Sequence, residues 1–264
     1  MQINVLMIGD VVGSAGCKAL RECLPRLKRE LQADLVIVNG ENSADGNGVL
    51  PASAKHIFDS GADVITGGNH SFRRRECYEL LDSSPFFLRP ANYPSSAPGC
   101  GMCLVDRGAW RAAVISLCGV VYLEPLACPF ETADRLVAQA KAEGAQMIFV
   151  DFHAEATGEK KALGYYLDGR VTALAGTHTH VPTADAQILP CGTGYITDLG
   201  MAGPSQSVLG VKPESSIARL KGKIPLRFEN AAGPCQISGA LFTADRDTGK
   251  TISVKPVVKN LQTA

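Results

Sequence analysis

Asn69 and His70 stand side by side in the stretch GGNHSFRRRE, directly after the apolar run Ala62–Ile65. An amide oxygen can coordinate a cation, and an imidazole can coordinate one or carry a proton. Such a pair becomes useful when other ligands converge on it. The sequence offers them at the ends of other short apolar runs. They are Asp10 in IGD, Glu41 and Asn42 in VNGEN, His153 in DFHAE, and His178 and His180 in AGTHTH. Four of the five histidines fall at such positions, and only His56 falls inside a helical pattern. Taken singly, Asp10 or Asn42 reads as a turn residue or helix cap, and His153 as a hydrogen-bonded core histidine. Their recurrence at one run end after another points instead to a metal site. Carboxylate, amide oxygen and imidazole without thiolate suit Mn or Fe, with Zn also possible. A mononuclear site needs three or four ligands and about seven candidates are present, so two cations are expected. Two cations roughly 3.5–4 Å apart clamp a phosphoryl group and activate water, the machinery of phosphoester hydrolysis.

These residues need elements to place them. Ile3–Ile8 reads as a strand, and AGCKALRECLPRLKREL as an amphipathic helix with Leu20, Leu24, Leu27 and Leu31 on one face and a kink at Pro25. Strands are expected at Leu35–Val38, Ala62–Ile65, Ala112–Leu117, Met147–Phe152 and Val171–Leu174, with helices over 51–60, 73–82, 130–143 and 158–167. RPANYPSSAPGCG is a Pro/Gly/Ser-rich loop. In the last third, ADAQILP, TGYITDLG, CQISGALFTA and TISVKPVV read as antiparallel strands. Strands alternating with helices, followed by a run of strands, indicate a mainly parallel region closed by antiparallel additions. In such sheets ligand sites form at the carboxyl ends of strands. If His178 and His180 lie on extended chain, i and i+2 face the same side and the two imidazoles converge. No linker is evident, so residues 1–264 are expected to form one domain.

Composition narrows the function classes. The chain has 264 residues, is 45% hydrophobic, and balances 26 basic against 26 acidic side chains. A general nucleic-acid binder would need excess Lys and Arg. No stretch approaches the roughly 18 apolar residues of a membrane span, and MQINVLMIGD has no basic leader, so it reads as an opening strand. The nine cysteines are scattered and odd in number, as expected for reduced thiols in the cytoplasm. Cys100 and Cys103 have CxxC spacing, but no second pair or paired histidine lies nearby. Walker, GxGxxG and GxSxG motifs are absent. Arg73–Arg75 reads as a solvated helix face, with an arm toward substrate phosphate as the other reading.

The run-end motifs resemble the calcineurin-like metallophosphoesterase superfamily, in particular its YmdB-like branch of phosphodiesterases. The resemblance is carried over nearly the whole chain by IGDVVGSAG, NGENSADGNGVLP, ITGGNH, RPANYP, DFHAEATGEKKALGYYLDGRV, GTHTHVPTADAQILPCGTGYITDLGMAGP and RFENA. Asp10 lacks the Asp-x-His of most of the superfamily, and Gly40-Glu41-Asn42 replaces its usual Gly-Asp, as the YmdB-like branch does. The branch often carries Trp-Asp where Phe72 and Arg73 stand here. The resemblance implies an α/β fold, a calcineurin-like two-sheet β-sandwich flanked by helices in four αββα layers. It implies that Glu41 bridges two metal ions, that Asp10, Asn42 and His180 complete one, and that Asn69, His153 and His178 complete the other. His70 would be the acid that protonates the departing alkoxide, a task suited to an imidazole near neutral pH. It further implies a small phosphodiester substrate, notably a 2′,3′-cyclic nucleotide, and a homo-oligomer. Two other readings stay open: a non-catalytic metal-containing regulator that binds nucleotide, RNA or protein, and a phosphomonoesterase.

Overall fold

A computed structural model describes residues 1–261; residues 262–264, which the expected domain includes, lie outside the described residues. In chain order the elements are β1 (Gln2–Ile8), β2 (Asp10–Val11), α1 (Gly13–Glu30), β3 (Leu35–Asn39), α2 (Pro51–Asp59), β4 (Val64–Thr66), α3 (Tyr78–Ser83), β5 (Phe87–Leu88), β6 (Met102–Asp106) and β7 (Arg111–Cys118). They continue with α4 (Pro129–Ala142), β8 (Met147–His153), α5 (Thr157–Tyr166), β9 (Ala173–Thr177), β10 (Gln187–Ile188), β11 (Gly194–Ile196), β12 (Met201–Pro204), α6 (Pro213–Gly222), β13 (Cys235–Asp245) and β14 (Thr251–Leu261). One sheet runs β2-β12-β13-β1-β3-β4-β5, with β14 on the other edge of β13. The other runs β10-β11-β9-β8-β7-β6.

Side-chain alternation explains the layering. From β1, Ile3, Val5 and Met7 enter a core between the sheets, where they meet Val114, Phe149 and Ala175. Leu6 and Ile8 point the opposite way, onto Leu20, Leu24 and Leu27 of α1 and Ile57 of α2. From β8, Ile148, Val150 and Phe152 turn outward onto Leu136 and Val137 of α4 and Leu163 of α5. Three cores separate four layers, helix on sheet on sheet on helix, which is the expected fold class.

Several elements differ from expectation. The helix expected over 73–82 begins as a 3-10 turn at Arg75–Cys77 and becomes α-helical only from Tyr78. The strand expected at Val171–Leu174 lies two to three residues further on and reaches Thr177. β10 in ADAQILP and β11 in TGYITDLG form an expected antiparallel pair, while the other edge of β11 runs parallel to β9. β13 and β14 do form the expected antiparallel pair. Neither β6 nor α6 was expected. β6, an edge strand, carries the apolar run Met102–Val105 that was passed over, whereas among the residues of α6 only Ser216 is buried, so that helix leaves no strong hydrophobic period.

Candidate metal centre

At the carboxyl ends of the central strands the inter-sheet layer becomes polar without changing register. Asn39 follows Ile37 by two residues in β3, Thr66 follows Val64 in β4, Asp151 follows Phe149 in β8, and Thr177 follows Ala175 in β9. These four polar side chains meet. Asp151 accepts hydrogen bonds from the Thr66 hydroxyl, the Thr177 hydroxyl at 2.7 Å and the Asn39 amide at 2.9 Å. Directly beyond them lie all eight residues singled out from the sequence, joined in one cluster.

Glu41 is fully buried at its centre. Its Oε1 lies 3.1 Å from His153 Nε2 and accepts a hydrogen bond from Asn42 Nδ2 at 3.0 Å, while Oε2 accepts the His70 amide at 2.9 Å. His153 Nε2 also stands 3.0 Å from Asn69 Oδ1 and 3.0 Å from His178 Nδ1. Asp10, from β2, accepts the His178 amide at 3.0 Å and lies 3.6 Å from His180 Nε2. His70 Nδ1 lies 2.9 Å from Asn42 Oδ1, and the His70 side chain is partly exposed at the mouth of the cluster.

Three imidazoles share one design. His153 Nδ1 faces the Thr177 hydroxyl at 2.9 Å. Because that hydroxyl donates to Asp151, it must accept from His153, so Nδ1 carries a proton and Nε2 faces the cluster. His178 Nε2 faces Glu155 at 3.0 Å, leaving Nδ1 toward His153. His180 Nδ1 faces the Leu209 carbonyl at 3.0 Å, leaving Nε2 toward Asp10 and Asn42. Each ring has its outward nitrogen held by an acceptor; the inward nitrogens of His153 and His180 face Glu41 and Asp10, and that of His178 faces His153 Nε2.

The expected route to this convergence was wrong for the last pair. His178 has φ of +100° and His180 of +64°, so neither lies on extended chain. Positive φ is unfavourable for residues with a Cβ, at about 1–3 kcal/mol each, and persists only where surrounding contacts fix it.

The electrostatics call for positive charge. Asp10, Glu41 and Asp151 are buried carboxylates, and the first two are partnered by imidazoles, not by Lys or Arg. Burial pushes Glu41 upward, but His153 and His70 hold it well below the usual carboxylate range. Burial would likewise depress His153, yet Glu41 and Asp10 lift it to about 9. His178, desolvated and beside His153, falls to about 4, which keeps it a neutral donor. Burial raises Asp151 to about 6 against its hydrogen-bond donors. At Gly68 a Cβ would collide with Glu41 Oε2 and His153 Nε2, so glycine keeps the space between them clear. Glu41, His153 and His178 place one donor atom each within 4.8 Å of one another. Charge, donor types and clearance all fit divalent cations.

Sequence reading missed Asn39, Thr66, Asp151 and Thr177, which strand parity would have found, and Glu155 and the Leu209 carbonyl, for which there was no local signal. Arg73 and Arg75 are exposed, whereas Arg74 donates from Nε to the Asn47 carbonyl at 3.2 Å. Phe72 packs edge-on against Tyr78 and Tyr93, with ring centroids 5.7 and 4.9 Å apart.

Two sheets sandwiched between helices, with carboxylate, amide and imidazole donors gathered at the strand ends, define a metallophosphoesterase of the calcineurin-like class. Within that class the chain belongs to the family described as YmdB-like protein, whose family model matches residues 6–257. A 2′,3′-cyclic-nucleotide 2′-phosphodiesterase of Bacillus subtilis (strain 168) is 45% identical over 258 residues, 98% of this chain and 97% of that protein. A crystal structure of a phosphatase from Mycoplasma pneumoniae has a TM-score of 0.93 at 33% identity, covering 99% of this chain and 95% of that one. The crystal structure of a Thermus thermophilus protein has a TM-score of 0.91 at 38% identity, covering 98% and 100%.

Proposed function

We propose that this protein is a metal-dependent phosphodiesterase acting on 2′,3′-cyclic nucleotides, with Fe or Mn as the resident metal and Zn as the other candidate. The observation that carries this reading is the buried cluster in which His153 and His180 turn their inward nitrogens onto Glu41 and Asp10 while His178 turns its own onto His153. In this reading Glu41 would be shared by two cations, Asp10, Asn42 and His180 would hold one, and Asn69, His153 and His178 would hold the other. Asn42 turns its nitrogen toward the carboxylates and its oxygen toward His70. Rotating the amide by half a turn exchanges them, giving a ligand oxygen on one side and an N–H donor to His70 Nδ1 on the other. When bound, the cations clamp the phosphoryl oxygens and activate water.

The protein's own groups do the rest. Water adds to phosphorus as the P–O2′ bond breaks, and His70 at the mouth delivers a proton to the departing 2′ oxygen, leaving a nucleoside 3′-phosphate. Asp151 and Thr177 hold His153 in one tautomer, and the buried sheet ends exclude bulk water. The same metal cluster fits a phosphomonoesterase, and the phosphatase description of the Mycoplasma structure favours including that comparison.

Two coarser properties accompany this reading. No helix among the described residues is long and apolar enough to cross a membrane, and the nine cysteines are free thiols, which supports a reducing compartment such as the cytoplasm. Ile217, Leu220, Ile224, Leu226 and Phe228 are exposed on and after α6, which supports a homo-oligomer. The shared strands of the three cores support reading the chain as one domain.

The test is hydrolysis of 2′,3′-cyclic AMP and of bis-p-nitrophenyl phosphate with added Mn²⁺ or with chelator, beside a monoester control. Metal-dependent release of 3′-AMP, with the monoester slower, is expected. His70→Ala should lose about 10²–10⁴-fold in turnover while keeping its metal. No turnover on either diester by a protein that holds two metals per chain would sink the enzyme reading in favour of a regulator.

A further inference from the structure

We infer that the buried ion pair between Lys160 and Asp198 is a positioning device for the His178–Thr179–His180 turn. The inference rests on the metal-centre reading above and adds two residues that lie outside the donor cluster. Lys160, from α5, and Asp198, just after β11, are both fully buried, with Nζ 2.7 Å from Oδ2. The same Oδ2 accepts the amide of Thr179 at 3.0 Å, between the two histidines. Oδ1 accepts the Gly200 amide at 2.9 Å, and the Gly200 carbonyl in turn accepts the Asp10 amide at 3.1 Å. One carboxylate therefore ties the histidine turn to the strand that carries Asp10.

That turn needs such a hold. His178 and His180 both have positive φ, which unconstrained histidines disfavour. The His178 amide is fixed by Asp10 and the Thr179 amide by Asp198, so both bonds flanking the strained residues end on buried carboxylates. Asp10 is itself a proposed ligand, whereas Asp198 is free to act purely as an anchor, its charge matched by Lys160. The lysine reaches it past Gly176, where a Cβ would press on Lys160 Cδ and collide with the Thr197 carbonyl. Among the described residues, Asp198 is the one side-chain acceptor found for this ammonium. A buried ion pair with so few partners is seldom a net stabiliser relative to apolar side chains of similar size. Its place under the histidine turn gives it a geometric task that an apolar pair cannot perform, because only the carboxylate accepts the Thr179 amide.

The test is the double variant Lys160→Met/Asp198→Leu, which removes both charges and keeps the site apolar. Its readouts are amide exchange in the metal-free protein and Mn²⁺ titration. The expected result is a folded protein with wild-type protection along β8, about tenfold or more faster exchange at residues 178–180, and a Mn²⁺ Kd raised about tenfold or more. A folded double variant with unchanged Mn²⁺ affinity overturns the inference, whatever its melting temperature. If the wild type itself binds no Mn²⁺, the metal-centre reading fails, and amide exchange at 178–180 still decides whether the pair clamps the turn. Should the double variant not fold, Asp198→Asn takes its place. It keeps one acceptor oxygen for two amides, and its Mn²⁺ affinity and exchange are read in the same way.

Discussion

Along β8, Met147 and Phe149 point between the sheets into an apolar layer, while Asp151 and His153 point the same way two and four residues on, into a polar one. β3, β4 and β9 repeat the pattern with Ile37 and Asn39, Val64 and Thr66, and Ala175 and Thr177. The same strands and the same register thus serve two kinds of burial. The apolar half gains free energy from each side chain removed from water. The polar end must satisfy every buried donor, acceptor and charge, which it does through hydrogen bonds and through groups arranged to accept cations. One half holds the sandwich shut, and the other uses that closure.

Separate damage to the two halves tests this division. Phe149→Ala empties a fully buried site in the apolar half and should cost about 3–5 kcal/mol in denaturant unfolding. Mn²⁺ affinity of the folded fraction should barely change, and a large loss there would mean that the halves are not separable. Glu41→Gln attacks the other half. Replacing the central carboxylate should weaken metal binding by more than the about 100-fold (about 2.7 kcal/mol) that loss of an outlying partner causes. Activity should fall with it, and a fully metallated Glu41→Gln protein would argue against bridging.

How much could be read beforehand follows the same division. All eight residues that meet in the cluster were legible because polar side chains collect at strand ends and each lies close to an apolar run. Asn39, Asp151 and Thr177 were equally legible by parity, two residues beyond an inward apolar side chain, but their polar types drew no attention inside a strand. Strand direction was legible only in part: β10 with β11 and β13 with β14 pair antiparallel as expected, but the parallel pairing of β11 with β9 was not, because β11 is three residues long and alternation carries no sign for direction. Nor were the positive φ values of His178 and His180, because the groups that fix them, Asp10 and Asp198, are brought there by distant chain. The α6 region left no periodic stripe because its apolar side chains face outward.

Thr177→Val sharpens the comparison by changing one hydroxyl. The Thr177 oxygen is fully buried and links His153 to Asp151. Its loss leaves Asp151 Oδ1 and His153 Nδ1 each one partner short and releases the tautomer of His153. Mn²⁺ affinity should fall about 10–100-fold, with a smaller stability loss than that of Phe149→Ala. Thr177→Ser, which restores the hydroxyl, should recover most of the affinity; failure of that rescue would show that shape, and not the hydrogen bond, mattered.

The smallest effect is expected at Asp185, a charge beside the polar end that is held by hydroxyls, an amide and Lys161 and by no proposed metal ion. Burial raises its pKa, but the Thr197 and Thr183 hydroxyls, the Thr197 amide and Lys161 outweigh burial and bring it to about 2 from the ordinary 3.8. Between those values the unfolded chain binds a proton that the folded protein refuses, so acid favours unfolding there. The stability that Asp185 contributes is fully present above pH 4 and is lost as pH falls from about 4 through about 2. Thermal unfolding of wild type and Asp185→Asn between pH 6 and pH 2 should therefore show a difference in Tm that is constant above pH 4 and narrows below it. A difference that stays constant to pH 2 would mean that these partners do not hold this carboxylate low. The contrast with Glu41, proposed to meet cations, would then lose its footing.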